Sequence, residues 1–207
     1  NIEGKLAVTV AETNTGLIAA NTNAKIRITR IDYLGLGSFD GITSETTLQF
    51  LRDDPAMQQA RLETRSDLVS IITGGGGSGL AYLNGFVSAV SQAYIPFYTF
   101  QHELMHCLGA NHDRDHVPGS QHPYGHGYQV PATLRTVMAY RCEDGADCPR
   151  IPFLSANGYQ HNGVSIGDAS HDNARLVREN VLKVSQYYVN EDAGDGAIDT
   201  ESVNSFD

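Results

Sequence analysis

Long hydrophobic runs are missing from this 207-residue sequence; none approaches the ~20 apolar residues that a membrane-spanning helix requires. Basic residues are few. Lys and Arg number 14 against 24 Asp and Glu, and a formal charge of -10 disfavours non-specific binding to nucleic acid or acidic lipid. Cysteine occurs only three times. Cys142 and Cys148 form so short a ring that they cannot supply the four tetrahedral ligands of a structural zinc site. They can close a disulfide if their Cα separation allows, which favours an oxidising, extracytoplasmic compartment. Cys107 lies inside an apolar helical pattern and reads as a buried thiol. Proline is low at 7 against 21 glycines, so loops are plentiful, yet there is no collagen-like or other internal repeat. The run Gly74-Gly75-Gly76-Gly77-Ser78-Gly79 lacks the Lys-Ser/Thr of a phosphate loop and reads as a flexible turn. No twelve-residue calcium loop is present; Asp168 and Asp172 either bind Ca2+ or cap the last helix.

Apolar residues at 41% and charged residues at 18% describe a globular chain. The length suits one domain, 1-190, with an acidic tail, 191-207. Asn1 is not an initiator residue, so the chain reads as processed or trimmed, and a missing signal peptide says nothing against secretion. Periodicity predicts a helix from Ile2 to Leu17 and a strand from Lys25 to Leu34, followed by a loop from Gly35 to Gly41. Asp54 and Pro55 open a second helix that runs to Thr64. Strands are expected at Leu68 to Ile72, Leu80 to Leu83 and Phe86 to Val90, then a helix from Thr99 to Ala110. His112 to Gly167 has no long periodic segment, and so long an irregular stretch is expected to be tied down or functional. A last amphipathic helix covers Asp172 to Tyr188, with Ser170 or Asp172 as its cap.

The chemistry concentrates in His102-Glu103-Leu104-Met105-His106-Cys107-Leu108-Gly109-Ala110-Asn111-His112-Asp113. Histidines four residues apart share one helical face, about 6 Å apart along the axis, so His102 and His106 can reach one zinc. Glu103 points beside them and suits a general base toward water at that metal. A straight helix would carry His112 out of reach. Gly109 can adopt positive φ and turn the chain, returning His112 as a third ligand. Three imidazoles leave one coordination position open, as a catalytic zinc requires.

This segment resembles the signature of the metzincin zinc endopeptidases, His-Glu-x-x-His-x-x-Gly-x-x-His, and Asp113 is similar to the Asp that follows it in the adamalysin/reprolysin branch. Thr136-Val137-Met138-Ala139-Tyr140 resembles the family's methionine turn, with Met138 26 residues after His112. The resemblance makes Met138 a hydrophobic floor below the metal and not a ligand. Asp67 to Ile72, Gly79 to Leu83, Cys148 to Phe153 and Asp172 to Arg175 extend the likeness over most of the chain, nearest to bacterial peptidyl-Asp metalloendopeptidases. It implies an α+β zincin fold: an α/β-like upper subdomain, about 1-111, a mostly irregular lower subdomain, about 112-190, and a mixed twisted sheet with an antiparallel edge strand. Such domains usually open with a hydrophobic strand, whereas this sequence begins near the first helix.

The resemblance further implies hydrolysis of internal peptide bonds of protein or peptide substrates, with one catalytic Zn2+ and Asp preferred just after the cut. The substrate would pair antiparallel with the edge strand Gly79, Leu80, Ala81, Tyr82 and Leu83. Arg141 and Arg150 are the candidates to grip its carboxylate. Tyr140 is either a second donor to the oxyanion or a structural tyrosine at the pocket wall. A secreted, bacterial, monomeric enzyme is expected, with no nucleic acid partner. An inactive zinc-stabilised binding module would be marked by loss of Glu103, which is present. A zinc amidase acting on small substrates would need a deep closed pocket. His116, His122, His126, His161 and His171 read as solvent-exposed loop histidines.

Overall fold

The N-terminal pattern folds as a helix, α1, over Ile2–Ala19, capped by the Asn1 side chain, which accepts from the Glu3 N–H at 2.9 Å. The structure, a computed structural model, describes residues 1-35, 41-117, 122-143 and 146-188. Most of the Gly35 to Gly41 loop and all of the 191-207 tail lie outside the described residues. After α1 come β1 (Ile42–Thr43), α2 (Glu45–Asp53), α3 (Pro55–Thr64), β2 (Val69–Thr73), β3 (Gly75–Gly76), β4 (Gly79–Ala81) and β5 (Val87–Ser91). A 3-10 turn at Gln92–Phe97 leads into α4 (Thr99–Cys107). Then follow β6 (Gln129–Val130), β7 (Leu134–Arg135), β8 (Gln160–His161), β9 (Val164–Ser165) and α5 (Asn173–Val184).

The described chain forms two compact units, one of Asn1–Ile26 with Leu108–Val181, the other of Arg27–Cys107 with residues from Leu182. The second unit holds a three-stranded mixed sheet ordered β2-β5-β4. β2 runs parallel to β5 from Val69↔Val87 to Thr73↔Ser91, and β4 lies antiparallel to β5 from Gly79↔Val90 to Ala81↔Ser88. The antiparallel pair needs only a tight connection, and Gly85 closes it by bonding Tyr82 O at 3.0 Å. Leu48, Leu51, Ile71, Leu80, Tyr82, Phe86, Val87 and Ala89 form the core of this unit. The mixture of helices and small sheets agrees with the expected α+β class. α3 also matches its predicted span: Asp54 accepts from Ala56 N at 2.9 Å and from Met57 N at 3.2 Å, and Pro55 stands first.

Three expectations change. Lys25 to Leu34 forms no strand. Its alternation gives an extended chain, but no ladder partner lies beside it among the described residues, and Ile28 and Ile31 stay 43% and 40% exposed. The Asn14 side chain stands in for a strand at its start, pairing with both N–H and C=O of Ile26 at 2.7 and 2.9 Å. Conversely, α2 was not evident in the sequence. Its Thr46-Thr47 pair is β-branched and weakly helical, but the Ser44 cap and burial of Thr47, Leu48 and Leu51 against the sheet stabilise it. The glycine run is not only a turn, since Gly75 and Gly76 pair parallel with Ile42 and Thr43.

Between Leu108 and Asp172 the described residues of the first unit are largely irregular, broken by the hairpins β6-β7 and β8-β9. α5 starts where Asp172 accepts from Arg175 N at 2.9 Å. Its Arg178 donates to Ala20 O at 2.7 Å, closing the end of α1.

Leu48 is fully buried and Leu182 is 72% exposed. Leu48→Ala is expected to lower unfolding free energy by about 2–5 kcal/mol, whereas Leu182→Ala should change it by less than about 0.5 kcal/mol. Urea denaturation with a shared slope checks both.

Candidate metal centre

α4 packs on β4 and β5, and no residue from Thr99 to Cys107 is more than 6% exposed. Its fourth-residue spacing projects His102 and His106 from one face. Their Nε2 atoms lie 3.1 Å apart, with the rings edge to face. At the end of α4, the carbonyl of His106 accepts from Asn84 N at 3.0 Å. Gly109 then adopts φ +90°, a conformation glycine enters without steric cost, and the chain turns as the sequence predicted. His112 follows in an irregular stretch and is completely buried. His102, His106 and His112 each offer a ring nitrogen, all within 4.8 Å of one another.

This donor set fits zinc. Two ligands at Zn–N distances of about 2.0–2.1 Å and tetrahedral angles lie about 3.3–3.4 Å apart, close to the 3.1 Å between His102 and His106. Two buried ring nitrogens that close require a shared proton or a shared cation. Imidazole suits zinc, and a three-nitrogen set leaves a position for a further ligand. Among the described residues this is the one group of potential ligands so assembled.

Glu103 is 2% exposed. Its carboxyl lies against the edge strand β4 at Gly79. A methyl group built on Gly79 would stand 2.7 Å from Glu103 Cδ and 2.7 Å from Thr99 Cγ2, so only glycine leaves room for the carboxylate. The edge strand itself is shorter than expected. Gly79–Ala81 is paired, and beyond it the pairing dwindles to one longer bond from Tyr82 N to Val87 O at 3.4 Å. Tyr82 instead donates its hydroxyl to Glu45 at 2.6 Å, and burial together with that carboxylate pushes the phenol's pKa up.

Asp113 is 4% exposed and joins two segments. One oxygen accepts from Tyr140 N at 2.8 Å, and the other pairs with His116 Nδ1 at 2.6 Å. The Tyr140 ring packs on both His112 and His116, with centroids at 4.5 and 4.3 Å. Met138 is fully buried. Gly127 abuts its backbone: a methyl group there would meet Ala139 N at 2.7 Å and Met138 C at 2.9 Å. Val137 N bonds Phe153 O at 3.0 Å, and Thr136 N bonds Tyr128 O at 2.9 Å, fixing the turn from both sides.

His126 corrects the expectation of an exposed loop histidine, being 1% exposed. Its Nδ1 lies 3.1 Å from the His112 carbonyl, so that nitrogen carries the proton and donates. Burial lowers its pKa. Nothing in its local sequence distinguishes it from His122. Arg141 is exposed and Arg150 half-buried. Arg150 bridges Arg135, which the sequence had not singled out and whose guanidinium donates to Ala139 O at 2.6 Å. Cys142 and Cys148 are bonded, with Cα atoms 6.0 Å apart, and Cys107 is a buried free thiol whose pKa burial pushes up. Among the described residues no helix is long and apolar enough to cross a membrane.

No protein-family model matches the chain. It is 31% identical over 195 residues to a peptidyl-Asp metalloendopeptidase of Stenotrophomonas maltophilia, covering 86% of this chain and 46% of that protein. To the protein of the same name from Xanthomonas campestris pv. campestris it is 28% identical over 189 residues, covering 86% and 45%. A third, from Pseudomonas aeruginosa, is 23% identical over 187 residues, covering 75% and 31%. The chain thus spans about half the length of the first two relatives. A solved structure described as "Structure of a chaperone-substrate complex" contains a chain of similar fold, with TM-score 0.67 and 24% identity over 90% of this chain and 32% of that one. The chain is a homologue of the bacterial peptidyl-Asp metalloendopeptidases, and its three buried imidazoles fit a zinc site.

Proposed function

We propose that this chain is the catalytic domain of a secreted zinc endopeptidase of the metzincin type, cutting internal peptide bonds of proteins with Asp just after the cut. The observation that carries the reading is the grouping of His102, His106 and His112, with the Glu103 carboxyl buried beside them in sequence and packed on an edge strand. Zinc held by the three imidazoles would polarise the scissile carbonyl and make water a nucleophile near neutral pH. Glu103 takes the proton of the attacking water on its carboxylate and passes it to the leaving nitrogen. Its contact with Gly79 holds that carboxylate beside the backbone of β4. β4 is an edge of the three-stranded sheet, which supports its use as the strand to which an extended peptide adds, with backbone bonds supplying affinity. This favours a polymeric substrate over the small substrate of an amidase.

Met138 and Tyr140 complete the lower wall. The packing of Tyr140 on His112 and His116 supports its wall role over that of an oxyanion donor. Asp113 and Gly109 act on backbone placement only. For the substrate carboxylate we assign Arg150, which is half-buried and pairs through its backbone with Arg135 at the start of the methionine turn, ahead of the exposed Arg141. The Cys142–Cys148 disulfide supports an extracytoplasmic location. Calcium at Asp168 or Asp172 has less support, since Asp172 caps α5 and Asp168 pairs with His171 at 2.9 Å.

Glu103→Gln should keep one bound zinc per chain, read by elemental analysis, while peptide turnover falls about 10²–10⁴-fold. Full activity in that variant would overturn the base assignment. Gly79→Ala should reduce kcat with zinc content unchanged, since the new methyl group displaces the carboxylate; unchanged kcat would remove the Gly79 contact from the mechanism. Cleavage of a peptide library, with product termini read by mass spectrometry, should enrich Asp just after the cut, and Arg150→Ala should flatten that preference more than Arg141→Ala. A random residue at that position would discard the Asp specificity.

A further inference from the structure

The third ligand, His112, sits on neither helix nor strand, so its backbone polar groups cannot be satisfied by regular structure. Asn111 and His112 are 3% and 0% exposed, so bulk solvent does not reach them. Every one of their main-chain groups is nevertheless matched. Asn111 N donates to Asn173 Oδ1 at 3.1 Å, and Asn111 O accepts from Asn173 Nδ2 at 2.8 Å. Gly127 N reaches both Asn111 O and His112 O at 3.1 Å. His112 N donates to Asn111 Oδ1 at 2.8 Å, and His112 O also receives His126 Nδ1.

Asn173 is the distinctive member. It lies 62 residues downstream at the first position of α5 and is fully buried. A carboxamide is the one short side chain that offers a donor and an acceptor in the geometry of a peptide group. It therefore pairs with Asn111 as a neighbouring strand would, at a place where no strand exists. Asn173 is itself held: its N–H donates to Ser155 Oγ at 3.1 Å, and Ser155 Oγ donates to His126 O at 2.5 Å. Ala174 N adds a bond to Ser155 O at 2.9 Å.

We infer that Asn173 is a positioning residue for the metal centre: its carboxamide clamps the backbone of Asn111 and so fixes His112, one residue on, in the attitude that completes the three-imidazole set. The inference rests on the zinc reading above. It assigns to the start of α5 a share of the metal affinity, although Asn173 touches no ligand side chain in the hydrogen bonds described.

The test uses the full chain and its Asn173→Ala, Asn173→Asp and Val177→Ala variants. Zinc affinity is measured by chelator competition, and ligand geometry by the visible absorption of the cobalt(II)-loaded protein. Val177 is fully buried on the same helix but outside the clamp, and so reports simple loosening of α5. Removing a residue that supports a metal ligand typically weakens metal binding about 10–100-fold. Asn173→Ala should show that loss together with an altered cobalt spectrum. Asn173→Asp keeps the acceptor for Asn111 N but loses the donor to Asn111 O, and should fall between. Val177→Ala should melt at lower temperature with affinity and spectrum near wild type. Wild-type affinity and spectrum in Asn173→Ala overturn the clamp while leaving the zinc reading intact. If Asn173→Ala does not fold, wild-type behaviour in Asn173→Asp does the same. A wild-type chain that binds no zinc removes both.

Discussion

Three imidazoles at most 3% exposed cannot share a space less than 5 Å across unless the backbone carrying each one is held and their facing nitrogens are compensated. Burial strips the rings of water, so the nitrogens need a common partner, and a cation supplies one. The rest of the site follows from that requirement. The chain meets the backbone half of it in two different ways within eleven residues.

For His102 and His106 the solution is local. One turn of α4 sets their spacing, and the sheet buries the helix that bears them. For His112 the solution is long-range. The turn at Gly109 frees the chain from helical bonding, and the orphaned groups are taken up by Asn173, Gly127 and His126. Asp113 extends the same logic one residue further by tying the histidine segment to Tyr140. The irregular stretch is thus ordered by side chains that act as substitute strands. Asn14 plays a similar part for Ile26 far from the metal.

Glycine governs the close approaches. At Gly79 the absent Cβ makes room for the Glu103 carboxyl, and at Gly127 it lets the backbone press on the Met138-Ala139 peptide. Either contact would be lost to any larger residue without a shift of its neighbour. Glycine is used here for space as much as for conformational freedom.

The residues between His102 and Asp113 were legible because a helix has a fixed period: four residues always return to the same face, and a glycine followed by a third histidine has few other uses. The Asp54 cap, the sheet strands and the C-terminal helix were readable for the same local reason, as was the Cys142-Cys148 pair from its short ring. The strand expected at Lys25 to Leu34 failed because alternation specifies an extended chain and not the partner that makes it a strand. α2 was missed because burial of Leu48 and Leu51 outweighs the weak helical preference of its threonines. Burial of His126, the clamp at Asn173 and the Gly79 contact with Glu103 depend on residues brought together from 14 to 62 positions apart or more tightly than any spacing rule specifies. Local chemistry named the ligands; the pairing of distant backbone groups, which no periodicity encodes, decided how the third one is held.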